Sequence, residues 1–284
     1  MGVRKTVEND VPLLEVRDLT VRFVSGRGLF AKQVVTAVDG VSISVRKGET
    51  LGLVGQSGSG KTTLARAVVK LNKPQSGSVL FKGGNIFDQR GKEAEQYRRQ
   101  VQMIFQDPYE SLNPRATVEK AIEEPLVIHR LARSSLSRQE RTLNLIRMVG
   151  LNPEAVSKKY PHELSGGERQ RTSIARALAV SPELLLADEP VSMLDVSIRI
   201  GIIDLLKELK RELDLTVVFI THDLGIARYF CDRIAVMYKG RLIEVAATEE
   251  LLRHPSDPYT KQLLEAVPDP ARSAKEKSST VQES

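Results

Sequence analysis

One cysteine, Cys231, is all the thiol chemistry that this 284-residue chain possesses. An intrachain disulfide, a cysteine-rich zinc site and an iron–sulfur cluster are therefore excluded, and the composition suits a reducing compartment. Long apolar runs are missing too. The richest stretches, Leu184–Ala187 and Leu215–Ile220, are strand-length, far short of the roughly 18 residues that a membrane-spanning helix needs. Met1 to Asp10 is charged and lacks an apolar core, so no secretory signal peptide is expected. Neither an internal repeat nor a sustained heptad pattern is present.

What is present is ample for a folded α/β protein. The chain is 41% hydrophobic and 27% charged, enough for one substantial core, or a core with a smaller appended subdomain. Its net charge of +6 suits nucleotides, phospholipid headgroups or nucleic acid without choosing among them. Leu14–Val16 and Val21–Phe23 read as strand pieces, and Val41, Ile43 and Val45 alternate with polar neighbours. Leu51–Val54 is an apolar strand that runs into a glycine-rich loop, followed by Leu64, Val68 and Leu71 at helical spacing. From about 107 to 181 strand signals vanish, and Leu143, Ile146 and Val149 mark helical periodicity. Leu184–Ala187 then reads as a strand buried on both faces. An apolar helix face (Ile198, Ile202, Leu205, Leu206, Leu209, Leu213) leads to Thr216–Ile220, completing a strand–helix–strand unit of a parallel sheet. Ile234–Tyr238 and Arg241–Val245, joined by Lys239-Gly240, form a hairpin pattern.

Three strings carry the chemistry. Gly55-Gln56-Ser57-Gly58-Ser59-Gly60-Lys61-Thr62, followed by Thr63, matches the phosphate-loop pattern. Glycines there let successive N–H groups turn toward phosphate oxygens at a helix start. Lys61 is placed to reach the β- and γ-phosphates and Thr62 to bind Mg²⁺. A chance glycine-rich turn is the plain alternative, and the strand before the loop and the helix after it are the context that the phosphate-loop pattern requires. Leu184-Leu185-Leu186-Ala187-Asp188-Glu189 ends a buried strand in two carboxylates. Asp188 suits Mg²⁺, and Glu189 suits a general base or water-orienting group; two solvated strand-end acids are the plain alternative. Leu164-Ser165-Gly166-Gly167-Glu168-Arg169-Gln170 puts an N-cap serine and two glycines at a helix start, a second anion site within the helical stretch.

That last string resembles the signature motif of the ABC family, and the resemblance covers roughly Leu13 to Pro270. It implies a P-loop NTPase (RecA-like) parallel-sheet core with an antiparallel β subdomain and an α-helical signature subdomain. One ABC ATPase domain is then expected over 1–267, its helical subdomain inserted at about 107–181, with a disordered tail at 268–284. The resemblance further implies that Gln106 is the Q-loop residue, touching the γ-phosphate, Mg²⁺ and the membrane subunit. His222 matches the switch histidine, and Asp195 matches the D-loop at a dimer seam. Two cassettes of this family pair head to tail, so Ser165, Gly166 and Gly167 of one close on ATP held by the other. Phe23 is the first choice for the aromatic that stacks on adenine; Phe30 and a core role for Phe23 stay open. Tyr109, Ser111 and Leu112 are expected to face the membrane subunit.

Longer strings narrow the resemblance. Ile104-Phe105-Gln106-Asp107-Pro108, Ser111-Leu112-Asn113-Pro114-Arg115, Tyr160-Pro161-His162-Glu163-Leu164 and His254-Pro255-Ser256-Asp257-Pro258-Tyr259-Thr260 are similar to oligopeptide and dipeptide importer ATPases, chiefly the second of their paired ATPases. Gln56 and Met193 depart from the usual Glu and Ala. The implied assembly contains a second ABC ATPase, two transmembrane permease subunits and, indirectly, an extracytoplasmic solute-binding protein. Its ATPases lie peripherally on the cytoplasmic membrane face, use ATP and Mg²⁺, and have no nucleic-acid partner. Soluble ABC proteins acting on ribosomes or DNA are the competing class, but they usually carry two cassettes or long coiled-coil insertions.

Overall fold

The computed structural model describes residues 11–25, 33–132 and 134–266; Phe30 and the 268–284 tail lie outside them. The chain opens with strands β1 (Leu14–Ser25), β2 (Gln33–Val45) and β3 (Thr50–Val54), then helix α1 (Lys61–Val68). Strands β4 (Ser76–Phe81) and β5 (Gly84–Asn85), helix α2 (Gly91–Gln100) and strand β6 (Val101–Ile104) follow. A run of helices comes next: α3 (Pro108–Ser111), α4 (Val118–Ile128), α5 (Ser135–Met148), α6 (Pro153–Val156) and α7 (Gly166–Leu178). Then come β7 (Leu184–Asp188), α8 (Val196–Leu213), β8 (Thr216–Thr221), α9 (Leu224–Phe230), β9 (Arg233–Tyr238) and β10 (Arg241–Ala247). The described chain ends with α10 (Thr248–Arg253) and α11 (Pro258–Glu265).

The larger sheet has the order β10-β9-β3-β8-β7-β6. All its pairs are parallel except the β9–β10 hairpin at one edge. Strands β3, β7 and β8 are buried along their whole length, because side chains of both parities meet an apolar layer. Leu185, Ala187, Val217 and Phe219 pack into the core shared with α4, α5, α7 and α8. Their neighbours Leu184, Leu186, Val218 and Ile220 pack on the other face against α1 and the second sheet. That second sheet, β2-β1-β4-β5, is antiparallel and presents Val16, Leu19, Val21, Val38 and Val79 to the shared core.

Two details differ from the sequence pattern. The pieces Leu14–Val16 and Val21–Phe23 belong to one 12-residue strand, interrupted by register shifts between Val16 and Val21 around Asp18, whose φ is 46°. A bulge displaces the side-chain alternation, so the period-2 signal breaks while the strand does not. Leu71 lies beyond α1 and is exposed. Lys70 adopts φ 63° and Leu71 N–H donates back to Arg66 O at 2.8 Å, a left-handed closure that turns the next side chain off the helix face.

Cys231 follows α9 and is buried, with its Sγ 2.8 Å from where a Cβ on Gly52 would sit. Burial pushes its thiol pKa well up. Among the described residues no helix is long and apolar enough to cross a membrane.

Candidate active site

Parallel pairing delivers four strand ends to the same edge of the sheet, where open α/β sheets hold their ligands. Val54 is in register with Thr221, Asp188 with Ile220, and Ile104 with Ala187. The residues that follow are therefore neighbours: Gly55 after β3, Gln106 after β6, Glu189 after β7 and His222 after β8.

The loop from Gly55 to Gly60 passes between backbone groups at close quarters. A Cβ on Gly55 would lie 2.2 Å from Met237 O, and one on Gly60 would lie 2.2 Å from Ala37 O. Gly60 is also the N-cap of α1, at φ 105°, with no side-chain cap and no acidic residue in the first turn. The first N–H groups of α1 thus have no intrahelical partner, and the helix dipole adds positive potential there. Lys61 is buried, its Nζ donating to Gly55 O at 2.7 Å and Gln56 O at 2.9 Å. Burial lowers its pKa, opposed by the nearby Glu189 and Asp188 carboxylates. A buried ammonium whose partners are carbonyls of the loop itself is poised to meet an anion.

Beside it, Thr62 Oγ1 donates to Asp188 Oδ1 at 3.0 Å. Asp188 is 2% exposed, and burial raises its pKa despite the Thr62 hydroxyl. Hydroxyl, carboxylate and the Gln106 amide oxygen are the donor chemistry that Mg²⁺ accepts together with phosphate oxygens and water. Among the described residues no cluster of three or more His, Cys, Asp or Glu could hold a metal ion.

Glu189 sits at φ 44°, anchored by its N–H to Ile220 O at 3.0 Å. Its Oε2 accepts from Gln106 Nε2 at 3.1 Å and lies 3.4 Å from His222 Nδ1. Two polar groups from two other strand ends thus meet at one oxygen of the Glu189 carboxylate. Gln56, Ser57, Gly58, Gly60, Lys61, Thr62 and Thr63 line a cavity of about 770 Å³ with Gln106, Glu189 and His222. Ser59 is buried beneath it. Phe23 is 45% exposed and lines the same cavity, which places it at the site and removes the core alternative.

Ser165, Gly166, Gly167 and Asp195 are not among the residues lining this cavity. Ser165 caps α7 in a reciprocal box: its Oγ accepts from Glu168 N at 3.2 Å, and Glu168 Oε2 accepts from Ser165 N at 2.8 Å. Gly166 and Gly167 pack against Leu194 and Ile198, where added Cβ atoms would meet side chains at 3.2 and 3.0 Å. Asp195 is the exposed N-cap of α8, and its side chain makes no capping bond. The segment after Gln106 splits: Tyr109 is exposed, whereas Leu112 is 3% exposed and belongs to the interior. Leu112 therefore cannot face a partner subunit. The sequence reading also missed Leu263 of α11 and Ala266, its C-cap, which line the cavity. No local pattern marks them.

The family described as "ABC transporter" matches residues 38–192. The chain is 51% identical over 259 residues to the oligopeptide transport ATP-binding protein OppF of Bacillus subtilis (strain 168), covering 91% of this chain and 83% of that protein. It is 49% identical to the oligopeptide transport ATP-binding protein AmiF of Streptococcus pneumoniae serotype 4, covering 91% and 82%. Among solved structures, the dimeric post-hydrolysis state of the ATP-binding cassette MJ0796 bound to ADP and Pi superposes with a TM-score of 0.74 at 32% identity, covering 83% of this chain and 98% of that one. The cbiO1 subunit from Clostridium perfringens superposes with a TM-score of 0.72 at 29% identity, covering 86% and 91%.

Proposed function

Because the chain belongs to the ABC transporter family and is an ABC-type ATPase, we propose that it powers import of oligopeptides or similar small solutes. The 51% identity to an oligopeptide transport ATP-binding protein supports the cargo class, and the observation that carries the ATP chemistry is the meeting of Gln106, Glu189 and His222 at the mouth of the loop that holds Lys61 and Thr62. Gly55 to Thr63 cradle the triphosphate, with Lys61 turned from the loop carbonyls to the β- and γ-phosphates. Thr62, Asp188 and Gln106 hold Mg²⁺, which when bound neutralises charge developing on the transferred phosphoryl group. Glu189 orients and deprotonates the attacking water, His222 contacts the γ-phosphate, and Phe23 stacks on adenine. Ser165, Gly166, Gly167 and Asp195 serve the ATP of a second ABC ATPase, so each site is completed by two chains. Dimeric cassette structures such as MJ0796 support that reading.

The ATPase pair sits on the cytoplasmic face of the membrane beneath two permease subunits, with an extracytoplasmic binding protein delivering the cargo. A groove of about 270 Å³ lined by Leu71, Phe105, Ser111, Ile128, His129 and Arg176 suits a cytoplasmic helix of the permease.

Glu189→Gln tests the chemistry. It keeps the hydrogen bonds of the position and removes the basic oxygen, so the variant should bind ATP as tightly as wild type and hydrolyse it at least about 100-fold more slowly. Equilibrium binding and steady-state turnover measured together check both halves, and near-normal turnover would reduce Glu189 to a strand-end acid.

A further inference from the structure

The final helix touches the phosphate loop from across the whole chain. Gln56 N–H donates to the Tyr259 hydroxyl at 3.1 Å, over a separation of 203 residues. Tyr259 is held in turn, its ring packed on Tyr238 with centroids 4.2 Å apart. The helix start is fixed as well. Asp257 accepts from Tyr259 N at 2.7 Å, and Glu244 of β10 accepts from Ser256 N at 2.8 Å and Asp257 N at 3.1 Å. Tyr259, Leu263 and Ala266 fall at i, i+4 and i+7, one face of a helix. Leu263 and Ala266 line the same cavity as Phe23 and the phosphate loop.

We propose that α11 is a wall of the nucleotide site. Tyr259 acts as a positioning residue for the phosphate loop, and Leu263 with Ala266 gives the nucleoside an apolar surface. This rests on the reading of the cavity as an ATP site. Lys61 has three donors, directed to Gly55 O, Gln56 O and, at 3.5 Å, Ser59 Oγ. Turning toward a phosphate draws on those same donors. The Tyr259 hydroxyl is a hold on Gln56 separate from the Lys61 ammonium, so it keeps the first turn of the loop in place while Lys61 changes partners. At the other end of the cavity, a purine has flat apolar faces that gain from leaving water. Leu263 is half-buried and already packed against the main core, so it supplies that surface from a fixed position.

Two ligands separate the two roles in the full-length chain: MgATP, and inorganic tripolyphosphate, which has the phosphates without the nucleoside. Calorimetric titration of Tyr259→Phe should show both ligands weakened by the same factor, about two- to tenfold, the worth of one ordinary hydrogen bond. Leu263→Asn should weaken ATP roughly tenfold through loss of apolar contact while leaving tripolyphosphate affinity at the wild-type value. If Tyr259→Phe binds tripolyphosphate as wild type does, or if Leu263→Asn loses both ligands alike, α11 is not such a wall. Failure of the ATP-site reading looks different: wild type and Lys61→Ala would then bind ATP equally poorly.

Discussion

At Gly60 a missing side chain is a requirement of the fold. Its φ of 105° and the 2.2 Å approach of Ala37 O to any Cβ leave the loop no route that accommodates alanine. Gly60→Ala should push the start of α1 away from Ala37 of β2 and abolish measurable ATP binding, while circular dichroism stays near native because the displacement is local to the loop. Lys61 makes a complementary case. Its ammonium is buried and disfavoured by that burial, so Lys61→Ala should not lower the melting temperature of the free protein. It should instead remove the rise in melting temperature that saturating ATP gives wild type, worth about 2.7 kcal/mol at a hundredfold excess over Kd. Scanning calorimetry with and without nucleotide checks both statements. Single residues were the most legible level of this chain. Lys61, Asp188, Glu189, Gln106 and His222 each sit in a string whose neighbours announce it. Tyr259 sits in the recognisable string from His254 to Thr260, but nothing local records that its hydroxyl meets Gln56 from 203 residues away.

Among the elements, α7 is the one that joins the two ends of the mechanism. Its first turn is the capped Ser165–Gly167 segment. Farther along, Arg176 Nη1 donates to Ser111 O at 3.0 Å and Arg176 Nη2 donates to Glu124 Oε2 at 3.0 Å, while the Ser111 and Ser173 hydroxyls lie 3.2 Å apart. The short helix after Gln106 is thus tied to the signature helix, and the Arg169 guanidinium covers the Tyr109 ring at 4.2 Å. Tyr109→Glu should leave ATP hydrolysis by the isolated protein intact and reduce solute uptake by the reassembled transporter at least about tenfold, a loss of roughly one buried contact. Leu112→Glu instead puts a charge into the interior, and should lower thermal stability before any question of coupling arises. Helices α1, α5, α7 and α8 were legible from their apolar spacing, whereas α2, α9, α10 and α11 were not. The order β10-β9-β3-β8-β7-β6 was not, since neighbouring strands come from distant stretches and no local pattern records which pairs form. The bulge at Asp18 hid the continuity of β1 for a different reason: alternation is the local sign of a strand with one exposed face, and a bulge resets it.

Across the whole molecule, the cavity and the Ser165–Gly167 turn are separate features of one chain, and the proposed active site needs two chains. Mixing two inactive variants tests this. Lys61→Ala removes the phosphate-loop charge. Gly166→Asp adds a negative charge at the N-terminus of α7, where aspartate favours the helix but repels phosphate, and Leu194 need yield only slightly. Under conditions where this chain self-associates and exchanges subunits, the mixture should regain up to about a quarter of wild-type turnover, from pairs that carry one intact composite site. A mixture as dead as its components would mean that each chain works alone. The buried cysteine makes a second, physical test simple. The Cys231 thiol is enclosed and its ionisation suppressed, and only thiolate reacts with maleimides or forms mixed disulfides. The wild-type sequence therefore behaves toward thiol reagents as a cysteine-free background, and a pair of cysteines engineered at Ser57 and Ser165 can report by disulfide trapping, without further mutation, when two chains have closed around a nucleotide.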